Sequence, residues 1–323
     1  MLQLGRLIVA ACALLLAAVA AQAQAQKIDG PIKFIVGYPP GGASDKAARL
    51  VADAMRERYG TTVIVENKTG AGGRVAAQSF KATPANETAL MIGNPAVNVV
   101  APLVFKNVGY DPATDFVPVA QVSRYEFGIA VGAAVPVKEF GHLLAWLRAN
   151  PEKANFGVPA TGSLPHFFAL MVAEAAKVRP EVVGYRGSAP LLTDLLGGQI
   201  PVAIDTLDTL IPQHEAGKLR ILAIGGEKRA PELPQVPTLK ESGLNVVADG
   251  WNVFFAPSSM PAARVRELGS AIEAIMKSPE VQKKFRDAAM DPVAAGPEAT
   301  AKMIAAFRAK WEPVIKAAGI QQQ

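Results

Sequence analysis

Three stretches of the chain place glycines and a hydroxyl residue directly ahead of a helical pattern. Tyr38-Pro39-Pro40-Gly41-Gly42-Ala43-Ser44-Asp45 leads into the amphipathic run from Ala47 to Tyr59. Pro159-Ala160-Thr161-Gly162-Ser163 leads into His166 to Ala176, and Tyr185-Arg186-Gly187-Ser188-Ala189-Pro190 leads into Leu191 to Leu196. Each stretch follows a short apolar run with strand character. A helix start leaves backbone N–H groups unpaired and carries a partial positive charge. Together these make an anion site. Glycine removes the side-chain bulk that would keep a ligand from the backbone. One such turn reads most simply as a helix cap. Three in the same sense, spread over two halves of the chain, point to a shared anionic ligand beyond the carboxyl ends of strands.

Other chemistries fit less well. Ser44, Ser163 and Ser188 lie near glycines, and His166 stands three residues after Ser163, yet no Gly-x-Ser-x-Gly elbow is present. The sequence is therefore read as a binding protein, not an enzyme. Gly70-Ala71-Gly72-Gly73-Arg74-Val75 begins like a dinucleotide fingerprint but has Val75 at the third glycine position. His142, His166 and His214 are scattered, and His214-Glu215 lacks the second histidine of a zinc helix. No metal and no cofactor is expected.

The elements that hold these turns alternate. Ile32 to Val36, Val63 to Val65, Leu90 to Ile92, Val202 to Ile204 and Ile221 to Ile224 read as buried strands. Helical spacing links Ala47, Leu50, Val51, Ala54 and Met55, then Val265, Leu268, Ile272 and Ile275, then Ile304, Phe307 and Trp311. The alternation predicts an α/β protein with mainly parallel sheets flanked by helices. The final stretch is almost wholly helical in pattern and cannot form a sheet domain alone, so it is expected to pack back on the first domain. That gives a discontinuous lobe of residues 26–124 plus 250–323 and a second lobe of 125–249, joined by two crossings. Trp251, just after Asp249-Gly250, is expected to wall the cleft between them.

The 323 residues carry 33 Lys and Arg against 28 Asp and Glu, a net charge of +5, and half of them are apolar. That excludes a disordered chain. The modest positive excess suits small anions and does not argue for nucleic acid. Residues 1–25 read as a secretory signal: Arg6, an apolar run from Leu7 to Ala21, and small-x-small sites at Ala21-Gln22-Ala23 and Ala23-Gln24-Ala25. Cys12, the single cysteine, lies inside that segment. Cleavage after Ala23 or Ala25 would leave an exported chain with no disulfide and no thiol nucleophile.

The first turn resembles the opening loop of the Bug family, the substrate-binding proteins of tripartite tricarboxylate transporters. The resemblance extends to Val65-Glu66-Asn67-Lys68-Thr69-Gly70-Ala71-Gly72-Gly73, to Tyr185 through Pro190 followed by Asp194-Leu195-Leu196-Gly197-Gly198-Gln199, and to Pro234-Gln235-Val236-Pro237-Thr238. It implies a two-lobed periplasmic binding protein of the type II-like Venus flytrap kind. It also implies a monomer holding a dicarboxylate, an acidic amino acid or an aromatic acid through loop amides. On that reading Tyr38, Gly41, Gly42, Ala43, Ser44 and Asp45 grip the carboxylate from one lobe. Thr161, Gly162, Ser163, His166, Tyr185, Arg186, Gly187 and Ser188 close from the other, with Asp205 facing the cleft. The implied partners are the membrane subunits of such a transporter, or a sensor kinase if the protein serves as a receptor alone. The chain departs from the family pattern at Pro84-Ala85-Asn86-Glu87-Thr88, at Asn94 and Asn98, which the resemblance places at the ligand's far end, and at Gly184, where proline is frequent.

Overall fold

The computed structural model describes residues 28–321. The signal segment, with Arg6 and Cys12, lies outside them. Strands β1 (Ile32–Val36), β2 (Val63–Asn67) and β3 (Ala89–Gly93) form a parallel set in which β1 is central. Between them run α1 (Ala43–Tyr59) and α2 (Arg74–Phe80). After β3 a π-helical turn (Ala96–Val100) leads into the short α3 (Ala101–Val104). Strand β4 (Phe116–Val131) follows, sixteen residues long. A second parallel set comprises β5 (Asn155–Val158), β6 (Glu181–Gly184) and β7 (Val202–Thr206), with β5 in the middle. Helices α4 (Phe140–Ala149), α5 (Leu164–Ala176), α6 (Ser188–Leu196) and α7 (Leu207–Glu215) accompany it. The chain closes with β8 (Arg220–Ile224), β9 (Asp249–Pro257), α8 (Ala262–Met276), α9 (Pro279–Asp287), β10 (Asp291–Ala295) and α10 (Pro297–Ala317).

The parallel strands β1, β3 and β7 stand where the apolar runs predict them and are buried on both faces, while β2 at the sheet edge leaves Ile64 exposed. The antiparallel pairings were not legible in the sequence. All of them are made by β4 or β9. Residues 116–126 of β4 pair with β9, and its end from Phe127 to Val131 pairs with β7 and β8. β4 therefore belongs to two sheets, one in each lobe. Strand β10 interrupts the otherwise helical C-terminal stretch: it lays Asp291 opposite Arg124 on the outer edge of β4.

The lobes also share apolar packing. One buried cluster runs from Ile35 and Val97 through Trp251, Phe307 and Trp311 to Phe167 and Val172 of the other lobe. Helix α10 packs on β4, on α3 and on α5, and so touches both. Trp251 is 1% exposed and meets Phe307 edge-on at 5.8 Å, while Phe307 stacks on Trp311 at 5.7 Å. Trp251 thus fills this core and does not wall the cleft, contrary to the expectation from its place at the crossing. Inward-facing β9 positions feed the core, and α10 covers them.

Trp311 is fully buried in this shared cluster. Replacing it with alanine should cost ~3–5 kcal/mol of stability by the cavity it leaves. Urea unfolding checks this, and a loss below ~1 kcal/mol would mean that α10 contributes little to holding the lobes together.

Candidate functional site

Strand direction decides where the turns meet. β3 is antiparallel to β9, and β9 is antiparallel to β4, so β1, β2 and β3 run the same way as β4, toward the second lobe. β7 is antiparallel to β4 and parallel to β5, so β5, β6 and β7 run toward the first lobe. The carboxyl ends of both parallel sets therefore face the junction. Gly93 at the end of β3 is level with Gln121 of β4, through Val253, and Thr206 at the end of β7 is level with Phe127. Those six steps along β4 separate the two edges by ~20 Å at ~3.3 Å per residue. The loops and helix starts of both lobes occupy that space.

On the first edge, α1 begins after Gly42, which has extended backbone (φ −75°, ψ 166°) and no side-chain cap. The first N–H groups of the helix thus have no side-chain acceptor at the cap, as an anion site requires. The neighbouring side chains are committed to holding the loop. Asp45, 2% exposed, accepts the Gly41 N–H at 2.9 Å, the Asn67 amide at 2.8 Å and the Arg49 guanidinium at 3.0 Å. Burial opposes its charge. Arg49, the Gly41 N–H and the Asn67 amide more than offset burial and hold the carboxyl below its ordinary range. Ser44 is buried too and donates to Asn252 Oδ1 at 2.7 Å, and Asn252 donates to Ser123 at 3.0 Å. This polar chain ties the start of α1 to β9 and β4. The Tyr38 hydroxyl donates to Asn94 Oδ1 at 3.0 Å, and burial pushes it up to about 12. Asn94 Oδ1 also accepts the Ala96 N–H at 3.0 Å. With both lone pairs used, the group Asn94 can still offer is its NH₂ donor.

On the second edge, Ser163 caps α5 by accepting the His166 N–H at 3.4 Å. The Gly162 N–H donates to His166 Nδ1 at 3.0 Å, which places the proton of the neutral ring on Nε2. Burial lowers the His166 pKa and favours that neutral ring. Thr161 lies against Gly184, where a Cβ would collide with its backbone and hydroxyl. The absence of a side chain at Gly184 is what lets the loops after β5 and β6 touch. The Tyr185 N–H donates to Val158 O and the Gly187 N–H to Pro159 O, both at 2.8 Å. The Tyr185 hydroxyl donates to Asp194 at 2.9 Å and so points down α6. Burial, then Asp194, raise it to about 12. Arg186 is exposed on the turn, and Ser188 opens α6 after Gly187, whose φ of 112° suits glycine alone. Asp205 is the penultimate residue of β7, 2% exposed. Its Oδ1 accepts the Thr206 N–H at 2.8 Å, and its Oδ2 has no partner among the described residues. Burial raises the carboxyl to about 6, against the Ser188 hydroxyl and the Thr206 N–H.

The structure thus gathers Tyr38, Gly41, Gly42, Ala43, Ser44, Asp45 and Asn94 on one edge. Thr161, Gly162, Ser163, His166, Tyr185, Arg186, Gly187, Ser188 and Asp205 gather on the other. Sequence reasoning missed Asn67, Arg49 and Asn252, the braces of the first loop. A polar Asn252 inside the apolar run Trp251 to Phe255 was the available signal.

A family model described as the tripartite tricarboxylate transporter family receptor matches residues 47–320. A Cupriavidus necator protein, described as a UPF0065 protein in the gbd 5' region, is 33% identical over 96% of this chain and 94% of its own length. Among solved structures, Rhodopseudomonas palustris Rpa4515 with adipate superposes with a TM-score of 0.83, at 33% identity over 90% of this chain and 98% of that one. MatC from the same organism, with bound malate, has a TM-score of 0.75 at 25% identity, covering 89% of this chain and all of that one (100%).

Asp45 carries a consequence for acid stability. Its carboxyl is depressed in the fold, so its contribution is present above the ordinary value of 3.8 and is lost as pH falls through the lower folded value. Asp45→Asn should cost ~1–2 kcal/mol at neutral pH and flatten the acid limb of the stability curve. Denaturant titrations at several pH values check both. An unchanged acid limb would show that Asp45 does not buckle the loop.

Proposed function

The chain belongs to the tripartite tricarboxylate transporter receptor family, and on that footing we propose that it captures a small carboxylate between its two lobes and delivers it to the membrane subunits of a tripartite tricarboxylate transporter. In this reading residues 26–124 with 250–323 form one lobe and 125–249 the other. Residues 1–25 direct the chain to the periplasm and are removed. The observation that carries the proposal is the pair of opposed strand edges, each bearing a helix start without a side-chain cap, Gly42 before α1 and Gly187 before α6.

The groups left over on those edges are donors. They are the backbone N–H groups at the starts of α1 and α6, the Asn94 NH₂ and the His166 Nε2–H. A carboxylate accepts from all of these, and each bond to a charged group contributes ~1.5–3 kcal/mol. Micromolar affinity needs about −8 kcal/mol, within reach of three to five such bonds. A ligand touching both edges binds the closed arrangement better than the open one and so shifts the population toward closure. The exception among the donors is Asp205. Its carboxyl, beside the Ser188 hydroxyl and the Thr206 N–H, disfavours a second carboxylate and favours a ligand that brings a hydroxyl or an ammonium group. Malate, an acidic amino acid or another acid with such a donor suits it better than adipate.

Thermal unfolding with a panel of acids tests the reading, since a ligand at ~100 times its dissociation constant stabilises by ~2.7 kcal/mol. A donor-bearing acid should bind about tenfold more tightly than adipate, and Asp205→Asn should erase that preference. A Cβ at Gly42 meets nothing closer than Pro39 O at 3.8 Å, so Gly42→Val should leave the fold intact while blocking the start of α1. Undiminished stabilisation by the acids in Gly42→Val would place the site elsewhere.

A further inference from the structure

The chain crosses between the lobes at a knot of three segments. Gly225, just after β8, donates its N–H to Phe127 O of β4 and accepts the Ala248 N–H, both at 2.8 Å. Next to it, the carboxylate of Glu126 lies directly on Gly226, so close that a Cβ there would collide with it. In the ladder Glu126 stands opposite Asp249, a like charge in the adjacent strand. Its Oε2 is buried with no hydrogen-bond partner among the described residues. Glu126 also lines a cavity of about 230 Å³ built from both lobes, with Arg124, Leu207, Lys228, Glu232 and Asp291 around it.

We propose that Glu126 is a protonation-dependent hinge lock: its neutral carboxyl lets the two crossing strands and the loop after β8 pack as observed, and its ionised form loosens them and shifts the balance between open and closed lobes. The inference regulates the capture reading above and rests on lobes that open and close.

Every element around Glu126 presents charge. β9 brings Asp249 and β10 brings Asp291. The loop after β8 brings Glu227, Lys228, Arg229 and Glu232, with Arg229 already paired to Glu241 at 2.9 Å. β4 itself brings Arg124 and α9 brings Arg286, while Asp208 of α7 bears on the neighbouring Tyr125 and Lys310 of α10 on Asp249. Burial pushes the Glu126 carboxyl up to about 7, Asp249, Asp291 and Glu232 push the same way, and Arg124 opposes. Burial also raises Asp249, against Lys310 and Arg124. Like charges directly opposite in a ladder repel, and a buried carboxylate without a donor is costly. The observed packing therefore favours the protonated form. By linkage its advantage is full at acid pH and is lost as pH rises through the folded value. Since the knot joins the lobes, what alters its packing also alters ligand affinity, and ligand in turn shifts the titration.

The test uses the exported chain, with spin labels on cysteines at exposed Glu57 in α1 and exposed Glu174 in α5. The distance distribution between the labels is measured without added carboxylate from about pH 6 to about pH 8. The distribution should shift across that range. Glu126→Gln, which mimics the neutral carboxyl, should hold the acid-side distribution throughout. Gly226→Ala, which displaces the carboxylate, should abolish the pH response by a different route. A distribution that does not move with pH, or that still moves in Glu126→Gln, overturns the proposal. Because no acid is added, the two readings fail separately. A pH response with no stabilisation by acids removes capture and keeps the lock, and stabilisation by acids with no pH response does the reverse.

Discussion

The direction of β4 is the constraint on which the rest of this molecule depends. It enters one sheet as a neighbour of β9 and leaves in another as a neighbour of β7 and β8. Every parallel strand takes its polarity from that passage. In one lobe the strands run with β4, in the other against it, so both sets of carboxyl ends are aimed at the same gap. Loops and helix starts collect at those ends because each strand must turn there into a covering helix. Two edges of loops and helix starts are thus brought face to face by backbone hydrogen bonding.

That economy explains how the polar residues of the loops are used. A buried hydroxyl or carboxylate without a partner is costly, so Ser44, Asp45 and Tyr185 spend their hydrogen bonds on Asn252, on Gly41, Asn67 and Arg49, and on Asp194. These bonds brace the turns. What a rigid turn presents is its backbone, and backbone N–H groups fixed in place lose little entropy when an anion arrives. Asp205 stands apart, since the same burial that would normally demand a second partner leaves its Oδ2 without one.

The lobes are joined in two physically different ways. On one side a shared apolar cluster around Trp251, Phe307 and Trp311 makes a large, non-directional contact. At the crossing, three segments are drawn together at Gly225 and Gly226, where the absence of Cβ atoms permits the approach.

The sequence by itself determined the local pieces. The apolar runs marked β1, β2, β3, β7 and β8. The glycine and serine signals marked the starts of α1, α5 and α6, and the alternation marked an α/β chain of two parts. Such features are set by residues close in sequence: a short run of β-branched and apolar residues for a strand, and unpaired N–H groups for a helix start. Tertiary structure alone decided the pairings of β4, β9 and β10, the burial of Trp251, and which loop side chains are braces. Each of these depends on partners far away along the chain, as Ser44 depends on Asn252 and Glu126 on Gly226. A residue type states what bonds it can make, but only the assembled fold supplies the atom that uses them.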